Sequence, residues 1–299
     1  MKTTSICLIL SLAHISSSHA AWSLVEDFES LSTGALNGQN GWTAVTNVNV
    51  ATDPATAFNR VGSMATASTT AWKTMGSITT GTATTYARFR YENIDNLAST
   101  TTGESAGFVG VSDAASPSAF GDFRTQMGVN PGFGDTITRP FALVSFDEDG
   151  AGSEGINRYP TNTVANPILP DVWYEAWTVM NNTTGEYQVY LQGGAFTTQT
   201  LLLSDVARAG IPIGDPGARQ ENSYDFRNDG TLSTAANAIK FFARTGVAHQ
   251  SPMYFDDIWY DASGTNLAAV PEPSAALLGL LAAGGLVLRR RRIPSVIGL

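Results

Sequence analysis

Along residues 22–266 the apolar positions come in short runs rich in Val, Ile, Thr, Tyr, Phe and Trp, separated by clusters of Gly, Asn, Asp and Pro. Helical spacing is scarce, so the pattern predicts strands and turns. The clearest pair runs Trp173 to Met180 and Glu186 to Leu191, two alternating aromatic stretches joined by Asn181-Asn182-Thr183-Thr184-Gly185. A five-residue polar loop with a late Gly between such stretches predicts a hairpin. Further strands are expected at 85–91, 105–111, 141–146, 238–244 and 253–261. Strand and helix never alternate, which argues against a parallel α/β sheet. The expected fold is all-β, an antiparallel two-sheet sandwich over residues 21–261, followed by a short linker at 262–269.

The two ends break this pattern. The N-terminus has a basic start at Lys2, an apolar run from Ile6 to Ile15, and small residues at Ser18 and Ala20. That order predicts a signal peptide over 1–20, cut between Ala20 and Ala21 by signal peptidase. At the other end, Val270-Pro271-Glu272-Pro273 precedes an uncharged run from Ser274 to Leu288, then Arg289, Arg290, Arg291 and Arg292, and a tail at 293–299. The prolines stop a strand and hold the backbone extended. As a helix the 274–288 run would rise about 22 Å, short against a hydrocarbon core of about 30 Å. The arginines would keep that end on the cytoplasmic side, leaving the body on the far side of the membrane.

Charge and cysteine usage narrow the function. Residues 21–270 carry 25 acidic and 12 basic side chains, so the body repels phosphate backbones and nucleic acid is not an expected partner. The only cysteine, Cys7, lies in the leader, as do His14 and His19. A processed chain would hold no disulfide, no catalytic thiol and only His249 as a possible imidazole.

The C-terminal arrangement resembles the PEP-CTERM sorting signal of Gram-negative bacteria, in which a Pro-Glu-Pro motif, a short transmembrane helix and a basic cluster follow in that order. The resemblance covers residues 270–292, with the helix at 274–288, and departs from the pattern in the trailing Ile293 to Leu299. It implies an exported protein, transiently anchored in the inner membrane, recognised by an exosortase and delivered to the cell surface or extracellular matrix. A plain C-terminal anchor would share the topology without explaining the motif.

The body carries a second resemblance. Trp22 to Trp42, with Asp27-Phe28-Glu29-Ser30, looks like the opening of jelly-roll domains found beside such tails. The 173–191 hairpin and the closing Tyr254-Phe255-Asp256-Asp257-Ile258-Trp259-Tyr260 are similar to concanavalin A-like and carbohydrate-binding jelly rolls. The resemblance implies that the first and last strands are neighbours. It also implies a structural Ca2+ site to which Glu29 and Asp256 contribute. Alternation places Asp256 on the face of Ile258, inward, where a carboxylate needs a partner. Calcium is one such partner, and a hydrogen bond to a turn is the other.

Catalysis has little support. No nucleophile elbow accompanies His249, and Asp147-Glu148-Asp149 lacks the acid spacing of the glycosidases in this fold group. The acidic stretch Asp147 to Glu154 also misses the EF-hand pattern, with Ala151 at a ligand position. The chain is read as a non-enzyme. Two roles remain: a domain that binds extracellular polysaccharide through exposed aromatics, or a structural matrix or envelope protein without a small ligand. A glycoside-active enzyme ranks behind both. Trp42, Trp72, Trp173, Trp177 and Trp259 are the candidate stacking residues.

Overall fold

The computed structural model describes residues 22–45, 47–64, 69–92, 107–130, 142–148, 154–158, 168–202, 204–206, 219–221, 223–226, 235–243 and 252–271. The leader with Ala20 and Ala21, Glu272 and Pro273, the 274–288 run, the four arginines and the 293–299 tail lie outside the described residues. So do residues 149–153 of the acidic stretch and His249. Among the described residues no helix is long and apolar enough to cross a membrane.

The first strands are β1 Ser23–Glu26, β2 Gly34–Ala35, β3 Trp42–Ala44, β4 Val48–Asp53, β5 Thr56–Met64, β6 Thr69–Ile78 and β7 Thr82–Tyr91. The middle of the chain gives β8 Gly107–Ser112, β9 Thr125–Asn130, β10 Ala142–Glu148, β11 Glu154–Arg158, β12 Tyr174–Asn181, β13 Glu186–Gly193 and β14 Phe196–Leu201. The last are β15 Ser204–Val206, β16 Arg219–Glu221, β17 Tyr224–Asp225, β18 Ala236–Ala243 and β19 Met253–Asp261. One sheet runs β14-β13-β12-β7-β19-β5-β4-β2, with β1 added to β19 and β17 to β13. The other runs β16-β15-β11-β10-β9-β8-β18-β6-β3. Every described pairing is antiparallel. Consecutive strands change sheet repeatedly, among them β3–β4, β5–β6, β6–β7 and β18–β19, the crossing habit of a jelly-roll sandwich. As the jelly-roll resemblance implies, the first and last strands are neighbours: β1 pairs with β19.

Alternation explains which residues fill the core. In β7 Ala87, Phe89 and Tyr91 face inward, while Arg88 and Arg90 take the outer face of their sheet. The layers lock through aromatic rings. Phe241 of β18 and Phe255 of β19 stack across the sheets with centroids 3.9 Å apart, and Phe28 sits 5.5 Å from Phe255 and 5.7 Å from Trp42. The Phe255 ring lies against β5, where a Cβ on Gly62 would come within 2.2 Å of it. Only glycine admits that approach.

Beneath this cluster is a buried charge. Glu26, 2% exposed, forms an ion pair with Lys73 at 2.9 Å. Its carboxylate also accepts from the Trp42 indole N–H, the Asn40 amide and the Phe28 backbone N–H. Lys73 in turn donates to the Val25 carbonyl, so β1 is bound to β6 of the opposite sheet.

Candidate functional site

The chemistry gathers where β19 changes neighbour. Its first residues, Met253–Phe255, pair with β5, and Ile258–Tyr260 pair with β1. Between these stretches the register to β7 slips, so that Asp256 faces Arg88 and Trp259 faces Tyr86. Asp257 takes φ +47° there. This is a β-bulge, a device that re-aims side chains. It lets Phe255 and Ile258 both enter the core. Strict alternation places Asp256 inward with Ile258. The extra residue reverses this, and Asp256 shares the outer face with its partner Arg88.

Asp256 is nonetheless only 1% exposed. Its Oδ2 accepts from the Asn59 amide at 3.0 Å and its Oδ1 from the Asp257 N–H at 2.8 Å. Burial, with the Asp257 charge adding to it, pushes its pKa up to about 8. Asp257 bonds Arg88 at 2.8 Å, and the Arg88 guanidinium lies 4.9 Å above the Trp173 ring. Burial works against the Arg88 charge, but the Asp257 bond outweighs it and raises the pKa. Burial likewise lifts Asp27, with Glu26 and Asp257 contributing.

Glu29 is exposed and sits just beyond β1. Its Oε1 accepts from the Arg60 N–H at 3.0 Å, while the Arg60 guanidinium donates to the Glu29 and Leu31 carbonyls. Successive residues of β5, Asn59 and Arg60, thus hold Asp256 and Glu29. The fold brings the two acids to one neighbourhood and gives each its own partner. Among the described residues no three acidic, histidine or cysteine side chains converge on a common point. A calcium ion shared by Glu29 and Asp256 would have to bind beside the Asn59 and Arg60 bonds, on the remaining lone pairs of the two carboxylates.

A groove of about 870 Å³ opens beside the bulge, lined by Asp53, Asn59, Arg88, Glu175 and Asp257 and by Phe58. Phe58 is 95% exposed. None of the candidate tryptophans shares that exposure. Trp42, Trp177 and Trp259 are buried, and Trp72 and Trp173 are half-buried. The solvent-facing aromatic is therefore one that the tryptophan candidates do not include. Its signal in the sequence is the Asp53-Pro54-Ala55 turn, which places Phe58 in the strand that leaves a hairpin tip.

The far wall of the groove is Ala269, Val270 and Pro271. Residues 262–269, expected as a linker, are laid along the outer face of the larger sheet. Thr84 donates to the Gly264 carbonyl and accepts from the Asn266 N–H, and Gln199 donates to the Leu267 carbonyl. Leu267 and Val270 pack on the cluster of Tyr86, Trp177 and Trp259. In the acidic stretch, β10 and β11 pair as a hairpin, with Asp147 opposite Gly155 and Glu148 opposite Glu154.

No family model matches the chain, and no curated protein does. Solved structures with similar strand arrangements include lectin II from Ulex europaeus, at 10% identity and a TM-score of 0.43, over 82% of this chain and 99% of that one. The binding domain of Paraclostridial Mosquitocidal Protein 1 gives 11% identity and a TM-score of 0.44, over 81% and 49%. A sialidase gives 8% and 0.43, over 83% of this chain but 19% of its own length. This chain thus spans about a fifth of the sialidase. The sandwich assignment rests on the strand pairing itself.

Proposed function

We propose that the domain binds the carbohydrate of an extracellular polymer in the groove beside Phe58, and that the chain is an exported surface protein sorted by an exosortase through Pro271-Glu272-Pro273 and its arginine cluster. The observation that carries the binding reading is the Phe58 ring, almost wholly in water, next to amide, carboxylate and guanidinium groups. An aromatic plane covers the apolar face of a pyranose, and such polar groups bond its hydroxyls. The non-catalytic reading is supported by the Asp257–Arg88 ion pair and by the burial of Asp256, which is 1% exposed and bonded to Asn59.

Phe58→Ala should abolish retention on insoluble polysaccharide while leaving the melting temperature within about 1–2 °C of the parent, because an exposed ring contributes little to folding. The same incubations should release no reducing sugar. Unchanged retention would remove the groove from the account. Loss of retention together with a lowered melting temperature would show Phe58 to be structural instead.

Three of the tryptophans are buried, which favours the competing reading, a structural matrix protein without a small ligand. That reading gains if no polysaccharide is retained at all. The sorting half of the proposal rests on the tail sequence and has its own measurement. The intact mass of the protein recovered from its host surface should correspond to a chain beginning at Ala21 or Trp22 and lacking Arg289 to Arg292. A mass that includes Met1 and Leu299 would sink export and sorting together.

A further inference from the structure

The outer face of the larger sheet holds a second aromatic surface beneath the segment 262–271. Tyr86, Trp177 and Trp259 form its centre, with Trp22 and Tyr190 packed at its margin. Trp22 and Trp177 each meet Tyr86 edge-on, at 6.3 and 5.1 Å. The segment covers these rings with Leu267 and Val270, two side chains that have no hydrogen-bonding atoms. The indole N–H groups of Trp22, Trp177 and Trp259 are buried with no hydrogen-bond partner among the described residues. Buried donors are normally paired, because leaving one unpaired forfeits its bond to water. Three such donors on one surface is a mismatch between the surface and its cover.

The cover is attached unevenly. Its first half is bound by polar contacts: Asn266 is 3% exposed, donates to Asp261 at 2.9 Å and is bonded by its N–H to Thr84. Beyond Leu267, whose carbonyl accepts from Gln199, and Ala268, whose N–H donates to the Asn266 side chain, Val270 packs on the aromatic cluster and Ala269 to Pro271 form the groove wall. A pivot near Asn266 would release residues 267–271 at the cost of the Gln199 bond to Leu267, with the first half still in place.

We infer that residues 267–271 form a strap over a second carbohydrate subsite, the Trp177–Trp259 platform, and that its release joins this platform to the groove beside Phe58. This rests on the groove reading for the first subsite. The ligand is a neutral oligosaccharide of several pyranose units, too long for the groove alone, whose hydroxyls accept from the indole N–H groups that Leu267 and Val270 cannot pair.

The test uses the full chain with Leu267→Ala and Val270→Ala together, and three probes: hexaoses of β-1,4-glucose, β-1,4-N-acetylglucosamine and α-mannose. Acrylamide quenching of tryptophan emission reports whether the strap has left, and near-UV circular dichroism reports whether the sandwich is intact. At least one hexaose should bind about tenfold or more tightly to the released variant than to the parent. Adding Trp177→Leu should cancel that gain. Increased quenching with unchanged affinity would overturn the strap, while binding in the parent that is lost in Phe58→Ala would leave the groove standing. A parent that binds nothing beside a released variant that binds would keep the platform and remove the groove. Should the double variant fail to fold, Leu267→Ala, a milder loosening of the same contact, is read by the same three measurements, and a gain or its absence decides in the same way.

Discussion

Replacing Glu26 by alanine should cost the domain about 3–5 kcal/mol of stability, the largest single effect expected outside the aromatic core. Four donors converge on this 2%-exposed carboxylate: Lys73, the Trp42 indole, the Asn40 amide and the Phe28 N–H. Truncation would leave the indole and the backbone N–H buried without an acceptor, each at about 1–3 kcal/mol. It would also strand the Lys73 ammonium, whose side chain is 12% exposed, on the Val25 carbonyl alone. For a domain of this size the melting temperature should drop by about 10 °C.

The surrounding variants separate charge from hydrogen bonding. Glu26→Gln keeps an acceptor for the indole but removes the charge that Lys73 needs. Lys73→Met leaves the carboxylate its three N–H donors, so it should cost less than Glu26→Ala. Combining Glu26→Gln with Lys73→Met should be milder than the sum of the two, because the second change removes the charge stranded by the first. Urea unfolding of all four proteins gives the cycle. Strict additivity would show that the pair contributes nothing as a pair.

Strands with large alternating residues are legible in the amino-acid pattern alone. Those at 85–91, 105–111, 141–146, 173–180, 186–191, 238–244 and 253–261 appear as β7, β8, β10, β12, β13, β18 and β19 with ends moved by a few residues. One strand that the pattern does not reveal shows a cause. In β6, Thr69-Thr70-Ala71-Trp72-Lys73-Thr74-Met75-Gly76-Ser77-Ile78, small and polar residues stand where a bulky apolar period would have shown. Tight contacts impose them: a Cβ on Gly76 would lie 2.2 Å from the Tyr260 hydroxyl oxygen. In β6 the alternation that reveals a strand is erased where the other layer presses close.

The candidate site is legible in part. The acids of the last strand stand out in the sequence, but their direction does not, because a bulge leaves no mark in a count of period two. Asp256-Asp257 reads as two consecutive strand positions, and only the pairing of Asp256 with Arg88 and Trp259 with Tyr86 shows that an extra residue lies between. Asn59 and Arg60, which hold Asp256 and Glu29, stand 197 and 31 residues from them in sequence. No local pattern predicts such partners. Phe58 escapes notice for the opposite reason: a single aromatic near a turn is ordinary, and its exposure depends on what the rest of the chain leaves uncovered.

In the presence of a chelator the domain should lose stability as the pH rises from about 4 to about 8. The folded Asp256 titrates near 8 because burial, then the Asp257 charge, disfavours its ionised form. In the unfolded chain it titrates near 3.9. Across that window the folded protein holds a proton that the unfolded chain has released, so stability falls with rising pH. It is greatest below the unfolded pKa and has fully declined once the folded group ionises. Asp256→Asn, which keeps the shape and cannot ionise, should flatten the profile and be the more stable protein at pH 8, by an amount on the order of a few kcal/mol. The same titration decides what sits at this carboxylate. Glu29 and Asp256 already have their own partners and, among the described residues, no third acid converges on them, so millimolar calcium at pH 8 should leave the parent's melting temperature unchanged. Bound calcium would instead stabilise it by about 2.7 kcal/mol at a hundred times its dissociation constant. A rise of that kind in the parent, absent from Asp256→Asn and from Glu29→Gln, would return the site to a cation. A rise that survives in Asp256→Asn would move the cation away from the bulge, toward the acidic hairpin of β10 and β11.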